Sequence, residues 1–444
     1  MTTDLLGNPV SYGDRNAVAA LDAAADKLLA YRADPFAEVE AILAAHPRFA
    51  LAHCFRAGLI ATATDRTLDG EMAKSLDAAR ALVWDANPRE RGHIAALAAW
   101  ASGDWAGAVE LWGRILHDHP RDTMALQFAH VGDFFNGSSA MLRDRVAGVL
   151  PAFAGDVPRA GFVRGMYAFG LEETGDYETA ERVGRASVAA NPQDAWAVHA
   201  VAHALEMRGR AAEGIDWLAS TESGWAPDNM FAYHNWWHLA LCRLDREEIP
   251  QVLALYDTRI RPADSDVVLE LIDATAMLWR LHARGVDVGN RFEQVAARWA
   301  ARIEHGFYAF NDAHAAMAFV GAGRLDLARR QVATLRAAIS GAGVNAGMSA
   351  DAGLALAEGF LAFGEERYAA CVEHLVDMRA RAARFGGSHA QRDVVSWTLV
   401  EAALRAGQTG AARYFAAQRL AAKPQSPLNR AWALRAGEGI AAAA

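Results

Sequence analysis

Two stretches of this chain, GDWAGAVELWGRILHDHPRD from Gly103 and GDYETAERVGRASVAANPQD from Gly175, align without a gap and begin 72 residues apart. Gly175 and Gly209 stand 34 residues apart. Each stretch runs from glycine through an acidic residue and an aromatic into a helical segment, and stops at a proline. Glycine reaches the left-handed backbone that ends a helix, and proline cannot continue one. A chain punctuated at such an interval builds helix pairs, each burying its apolar face only against its neighbours. Between these marks Ala, Leu, Arg and Glu dominate and β-branched runs are scarce, so intrinsic propensity points the same way.

The interval is close to the ~34-residue period of a tetratricopeptide repeat. Units of this kind fall near 35–60, 90–122, 161–194, 195–229, 230–260, 350–385 and 395–423. The expected fold is all-α: tetratricopeptide-like helical-hairpin repeats in one helical-repeat domain, 1–444, forming a compact superhelix that could close on itself. The stretch 262–340 reads as helical but out of period, and the Gly- and Ser-rich 339–353 as a linker or loop. The tail, about 437–444, is expected to fray.

Composition narrows the partners. The net charge of −9 is spread rather than blocked, and no Lys/Arg run marks a nucleic-acid face, so no nucleic-acid partner is expected. No apolar run reaches membrane-spanning length, so no membrane partner is expected. The start, MTTDLLGNPVSYGDRN, lacks a basic n-region and an apolar h-region. Cys54, Cys242 and Cys371 stand far apart with no C-x-x-C. Together these suggest a cytoplasmic protein in a reducing compartment. There is no P-loop, G-x-G-x-x-G, G-x-S-x-G or H-E-x-x-H, so neither a nucleotide cofactor nor serine-hydrolase chemistry has support.

Residues 194–243 hold the densest chemistry. His199/His203 and His234/His238 are each spaced i, i+4, so on helices both rings of a pair share a face. The second pair follows the first by 35 residues, which would put the pairs at equivalent places on neighbouring helices, facing one cavity. Glu206 lies one turn beyond His203, and Trp237 lies beside His238. One reading is a metal site: His199, His203, His234 and His238 would ligate Zn, Fe or Cu, with Glu206 as a further ligand or base. A second is a metal-free polar pocket walled by Trp237. A third is interhelical hydrogen bonding with no ligand at all.

Three other motifs carry unexplained polarity. Asp273, in LELIDATAMLWRL, lies on an apolar stripe and must be paired, with His314 or Arg392 as candidate partners. Asp312 and His314, in FNDAHAAMAF, look similar, and Asn311 is a candidate cap for that helix. In GGSHAQRDV, Ser388 and Gln391 fit a capping box, whereas His389, Arg392 and Asp393 find no role there. The helix dipole disfavours an arginine in a first turn, which makes Arg392 a candidate anion binder.

RERGHIAALAAWASGDW, FVRGMYAFGLEETGDYETAE, WAVHAVAHALEMRGR, FAYHNWWHLAL, LIDATAMLWRL, FNDAHAAMAF and GGSHAQRDV, in this order, resemble the tetratricopeptide repeat protein 38 family, from about residue 10 to about residue 430. HNWWHLAL and GGSHAQRD are far more specific than a generic repeat. The resemblance implies an all-helical superhelix and no particular reaction. Three functions stay open. The first is a pocket for a small polar or anionic molecule, with His199, His234, Trp237, His314, Arg392, Asp312 and His389 as contacts; any acid–base or hydrolytic chemistry would fall to His203, His238, Asp273 and Glu206. The second is a scaffold binding a peptide or protein partner on its concave face. The third is the histidine-ligated metal site.

Overall fold

The computed structural model describes residues 2–437, which are all-helical apart from a short antiparallel pair, Thr2–Thr3 with Pro9–Val10. Among the described residues no helix is long and apolar enough to cross a membrane. The expected fraying tail falls, from residue 438 on, outside the described residues. Two compact units divide the chain: residues 1–201 with 221–232, and residues 202–220 with 233–444.

In the first unit consecutive helices pack side by side, as Pro88–Ala101 does on Trp105–Asp118, and Ala160–Glu173 on Tyr177–Ala190. The turn between partners is the glycine signal seen in the sequence. Gly103 and Gly175 adopt φ of +86° and +85°. The Gly103 amide donates to the Trp100 carbonyl at 2.9 Å and the Asp104 amide to the Ala99 carbonyl at 3.0 Å. Gly175 and Asp176 donate in the same way to Glu172 and Leu171. These bonds satisfy the last carbonyls of the outgoing helix. The following aspartate then caps the incoming one: Asp104 accepts from the Gly107 amide, and Asp176 from the Thr179 amide. The aromatic next in sequence turns inward, and Trp105 stacks on Trp100 with ring centroids 4.7 Å apart.

The same corner recurs in the second unit at Gly209, Glu247, Gly285, Gly323, Glu366 and Gly407. Gly285 and Gly323 both lie inside 262–340. A π-helical turn, Tyr256–Ile260, precedes that stretch. Its helix Val268–Ala283 is buried on all sides, which fits an apolar run without amphipathic spacing. It packs against Ala309–Gly321 and against the distant His389–Arg405.

Two local expectations change. Of the segment 339–353, residues 339–343 form the expected turn, but Val344–Met348 is helical and runs through a π-helical turn, Ser349–Gly353, into Leu354–Gly364. Asn345 anchors it, accepting from the Ala309 amide at 2.7 Å and donating to the Gly306 carbonyl at 2.6 Å. Asn345, rather than Asn311, thereby serves the start of Ala309–Gly321. Cys54, Cys242 and Cys371 are buried thiols, each raised in pKa by burial.

A Cβ at residue 175 meets no atom within 4 Å, so Gly175→Ala isolates the backbone requirement. It should destabilise the chain by about 1–2 kcal/mol, the cost of a left-handed non-glycine residue. Gly148, in the helix Ser139–Val149, is equally uncrowded but has no left-handed φ. Gly148→Ala should be neutral or stabilising by up to about 1 kcal/mol. Denaturant unfolding of the two variants checks the contrast.

Candidate functional site

The helix Ala195–Met207 starts where Asp194 accepts from the Ala197 amide at 2.9 Å. The i, i+4 spacing gives His199 and His203 the same face of this helix. His199 belongs to the first unit, where Phe169, Trp196 and Phe231 surround its ring at 4.9–5.2 Å between centroids. His203 and Glu206 belong to the second unit, together with His234, Trp237 and His238 on the helix Ala232–Asp245.

Within the second unit the histidines meet. The ring centroids of His203 and His238 are 4.3 Å apart, and those of His234 and His238 are 4.9 Å apart. One ring nitrogen from each of His203, His234 and His238 lies within 4.8 Å of the others. Trp237 stacks on His234 at 5.4 Å. All three imidazoles are buried.

Two carboxylates orient them. His234 Nδ1 donates to Asp273 Oδ2 at 2.5 Å. Asp273 is 1% exposed, and its partner is His234 rather than His314 or Arg392. His238 Nδ1 lies 3.2 Å from Glu206 Oε2. Burial raises the Glu206 pKa, but the Lys423 ammonium, 3.6 Å from Oε1, with His238 and His203, outweighs burial and holds the carboxyl down at about 2. An ionised carboxylate only accepts, so His238 carries its proton on Nδ1 and its lone pair on Nε2. Burial, reinforced by His203 and His234, lowers the His238 pKa to about 3, so its ring is neutral near pH 7.

A buried cation completes the group. Arg280 donates from Nη2 to the Ala390 carbonyl at 2.7 Å, and its guanidinium lies 5.3 Å from the Trp237 ring centre. Burial lowers its pKa to about 10, and Asp393, Glu206 and Asp273 act on it as counter-charges. The first turn of His389–Arg405 thus meets Trp237 through Arg280. Arg392, four residues into that helix, donates instead to the Gly387 carbonyl. Ser388 and Gln391 form the capping box. Asp393 pairs with Arg419 through both oxygens, at 2.5 and 2.9 Å. Lys423, Arg419, Asp393, His389, Arg379 and Phe415 line a cavity of about 190 Å³.

Sequence reasoning passed over Arg280, Lys423 and Arg419. Arg280 had a signal, since it sits seven residues after Asp273 on the same helical stripe. Lys423 and Arg419 had none, because their roles arise from contacts distant in sequence.

Asp312 and His314 each have a hydrogen-bond partner on or near their own helix pair, and Arg280 acts electrostatically on His314. His314 Nδ1 donates to the Phe310 carbonyl at 2.8 Å, and burial lowers its pKa to about 4. Asp312 Oδ1 accepts from Gln331 Nε2 at 2.9 Å, and burial raises its pKa to about 7. Asp312 Oδ2 and Gln331 Oε1 have no other partner among the described residues.

No protein-family model matches the chain.

The Asp312 environment sets a pH dependence. Its folded pKa, about 7, lies above the usual 3.8, so between these values the folded chain holds a proton that the unfolded chain has lost. Stability from this group is full below about pH 4 and falls as pH rises toward 7. Asp312→Asn is uncharged at every pH and keeps an oxygen that accepts from Gln331. It should flatten the dependence and leave the variant more stable than the parent at pH 8, with little difference at pH 4. Urea unfolding at both pH values checks this; parallel pH profiles would contradict it.

Proposed function

We propose that His203, His234 and His238 bind a divalent transition-metal ion through ring nitrogens. The observation that carries this reading is the meeting of three buried imidazole nitrogens from two helices, with carboxylates hydrogen-bonded to the Nδ1 atoms of two of the rings. A carboxylate on the remote nitrogen is the usual companion of a metal-ligating histidine, fixing its tautomer and raising its basicity. Asp273 would do this for His234 and Glu206 for His238, so Nε2 would be the ligating atom of each. His199, one turn before His203 on the same helix, is the sequence's candidate for a further ligand. Nitrogen donors suit zinc, iron or copper. With His203, His234 and His238 alone, three protein ligands would leave a coordination position open, as in catalytic rather than structural zinc sites. A bound ion there would supply a Lewis acid or a water of lowered pKa, which fits hydrolytic chemistry on a small polar or anionic substrate.

The recurring corner supports reading the helix pairs as tetratricopeptide-like repeats, and the motifs HNWWHLAL and GGSHAQRD support placement in the tetratricopeptide repeat protein 38 family. A second reading is a pocket for a small anion without metal. It is favoured by the cavity of about 190 Å³ and its basic lining of Lys423, Arg419 and Arg379.

Elemental analysis of the purified protein after dialysis tests the metal reading. Near-stoichiometric zinc, iron or copper is expected in the parent chain, and its loss in His203→Ala and His238→Ala. Asp273→Asn should weaken metal affinity by about 10–100-fold. Metal-free parent protein that takes up none of these ions on titration would favour the metal-free pocket.

A further inference from the structure

Beside the π-helical turn Tyr256–Ile260 in the second unit lies another cleft, of about 640 Å³, lined by Tyr256, Arg261, Arg291, Gln294 and Arg298 among others. Turns of this wide form are rare and recur at functional sites. The Arg261 side chain is 1% exposed. Its Nη2 donates to Asp264 Oδ1 at 2.9 Å and to the Ser265 carbonyl at 3.1 Å. Its Nε and Nη1 are buried and meet no acceptor among the described residues, and the Tyr256 hydroxyl is likewise buried and unmet. Arg261 and Arg291 both act electrostatically on that hydroxyl, which puts these groups in one neighbourhood.

The exposed arginines of the cleft are met by carboxylates, whereas the buried donors of Arg261 and Tyr256 are not. Arg291 takes both oxygens of Asp257, at 2.8 and 2.6 Å. Asp264 is shared, since its Oδ1 accepts from Arg298 Nε at 3.0 Å as well as from Arg261. Arg298 also donates from Nη1 to Asp266 Oδ2 at 3.2 Å, so the cleft's demand for an acceptor falls on Arg261 Nε and Nη1. A buried cation with unmet donors is costly unless an acceptor of opposite charge reaches it.

We propose that this cleft binds a phosphate group, with Arg261 Nε and Nη1 and the Tyr256 hydroxyl donating to its oxygens. The donors are three N–H bonds and one O–H from two side chains. A planar carboxylate offers two oxygens, whereas a phosphate offers three strong acceptors in a tetrahedral array. The site is separate in residues and chemistry from the histidine cluster and does not rest on it.

Free phosphate and a phosphomonoester share this chemistry. Isothermal titration of the full-length protein in chloride buffer, with inorganic phosphate and with glycerol 3-phosphate, separates them. Saturable binding of either supports the site, and the tighter of the two identifies the source. Two variants locate it. Tyr256→Phe keeps the ring and removes the hydroxyl; Gln294→Glu puts a carboxylate on an exposed part of the lining. Each should weaken binding about tenfold, with the circular dichroism spectrum and melting temperature unchanged. No binding of either ligand to the folded parent, or unaltered affinity in both variants, overturns the proposal, and water then meets these donors.

Discussion

A helix buried on every side must find partners for each polar group it carries, because no water reaches them. The helix Val268–Ala283 is under this constraint, and its solutions organise the second unit. Asp273 takes His234. The Thr275 hydroxyl accepts from the Trp299 indole at 3.0 Å. The Trp279 indole donates to Thr398 at 2.9 Å, and Arg280 reaches the Ala390 carbonyl. Four polar groups thus bind this helix to three others, and two of the bonds, both to His389–Arg405, span more than a hundred residues. The histidine cluster is positioned by the first of these bonds.

The same constraint explains the character of the site. His203, Glu206, His234, His238, Asp273, Arg280 and Lys423 would each be costly to bury alone. Together they alternate donor with acceptor and cation with carboxylate, so Glu206 stays ionised between Lys423 and His238 while His238 stays neutral. A neutral imidazole whose Nδ1 proton is engaged presents Nε2 as a base or ligand. Replacing such a group by apolar side chains would satisfy the fold equally well, as buried ionic groups are weak contributors to stability. The second unit carries them nevertheless, as a ligand site requires.

The sequence disclosed local features better than distant ones. Helical character, the glycine corners, the Ser388–Gln391 capping box and the burden on Asp273 were all legible, since each depends on residues within a few turns. The i, i+4 pairs gave His203 and the 234/238 pair as candidates for the same reason. What escaped was pairing across long separations: His234 as the partner of Asp273, Arg280 as the cation beside Trp237, and Lys423 opposite Glu206. The segment 339–353 was legible as a loop only to residue 343; beyond it Asn345, 36 residues past Ala309, pins the chain and it continues as helix. The partners of Asp312 and His314, Gln331 and the Phe310 carbonyl, were likewise not read from the sequence.

The central claim is that imidazole nitrogens of His203, His234 and His238 surround one ion. X-ray absorption at the metal edge, on the purified full-length protein loaded with one equivalent of zinc, tests it most directly. The account predicts a first shell containing at least three imidazole nitrogens near 2.0–2.1 Å, with the multiple-scattering pattern of histidine rings. A shell made up of water and carboxylate oxygens, or the spectrum of the hydrated ion, would contradict it.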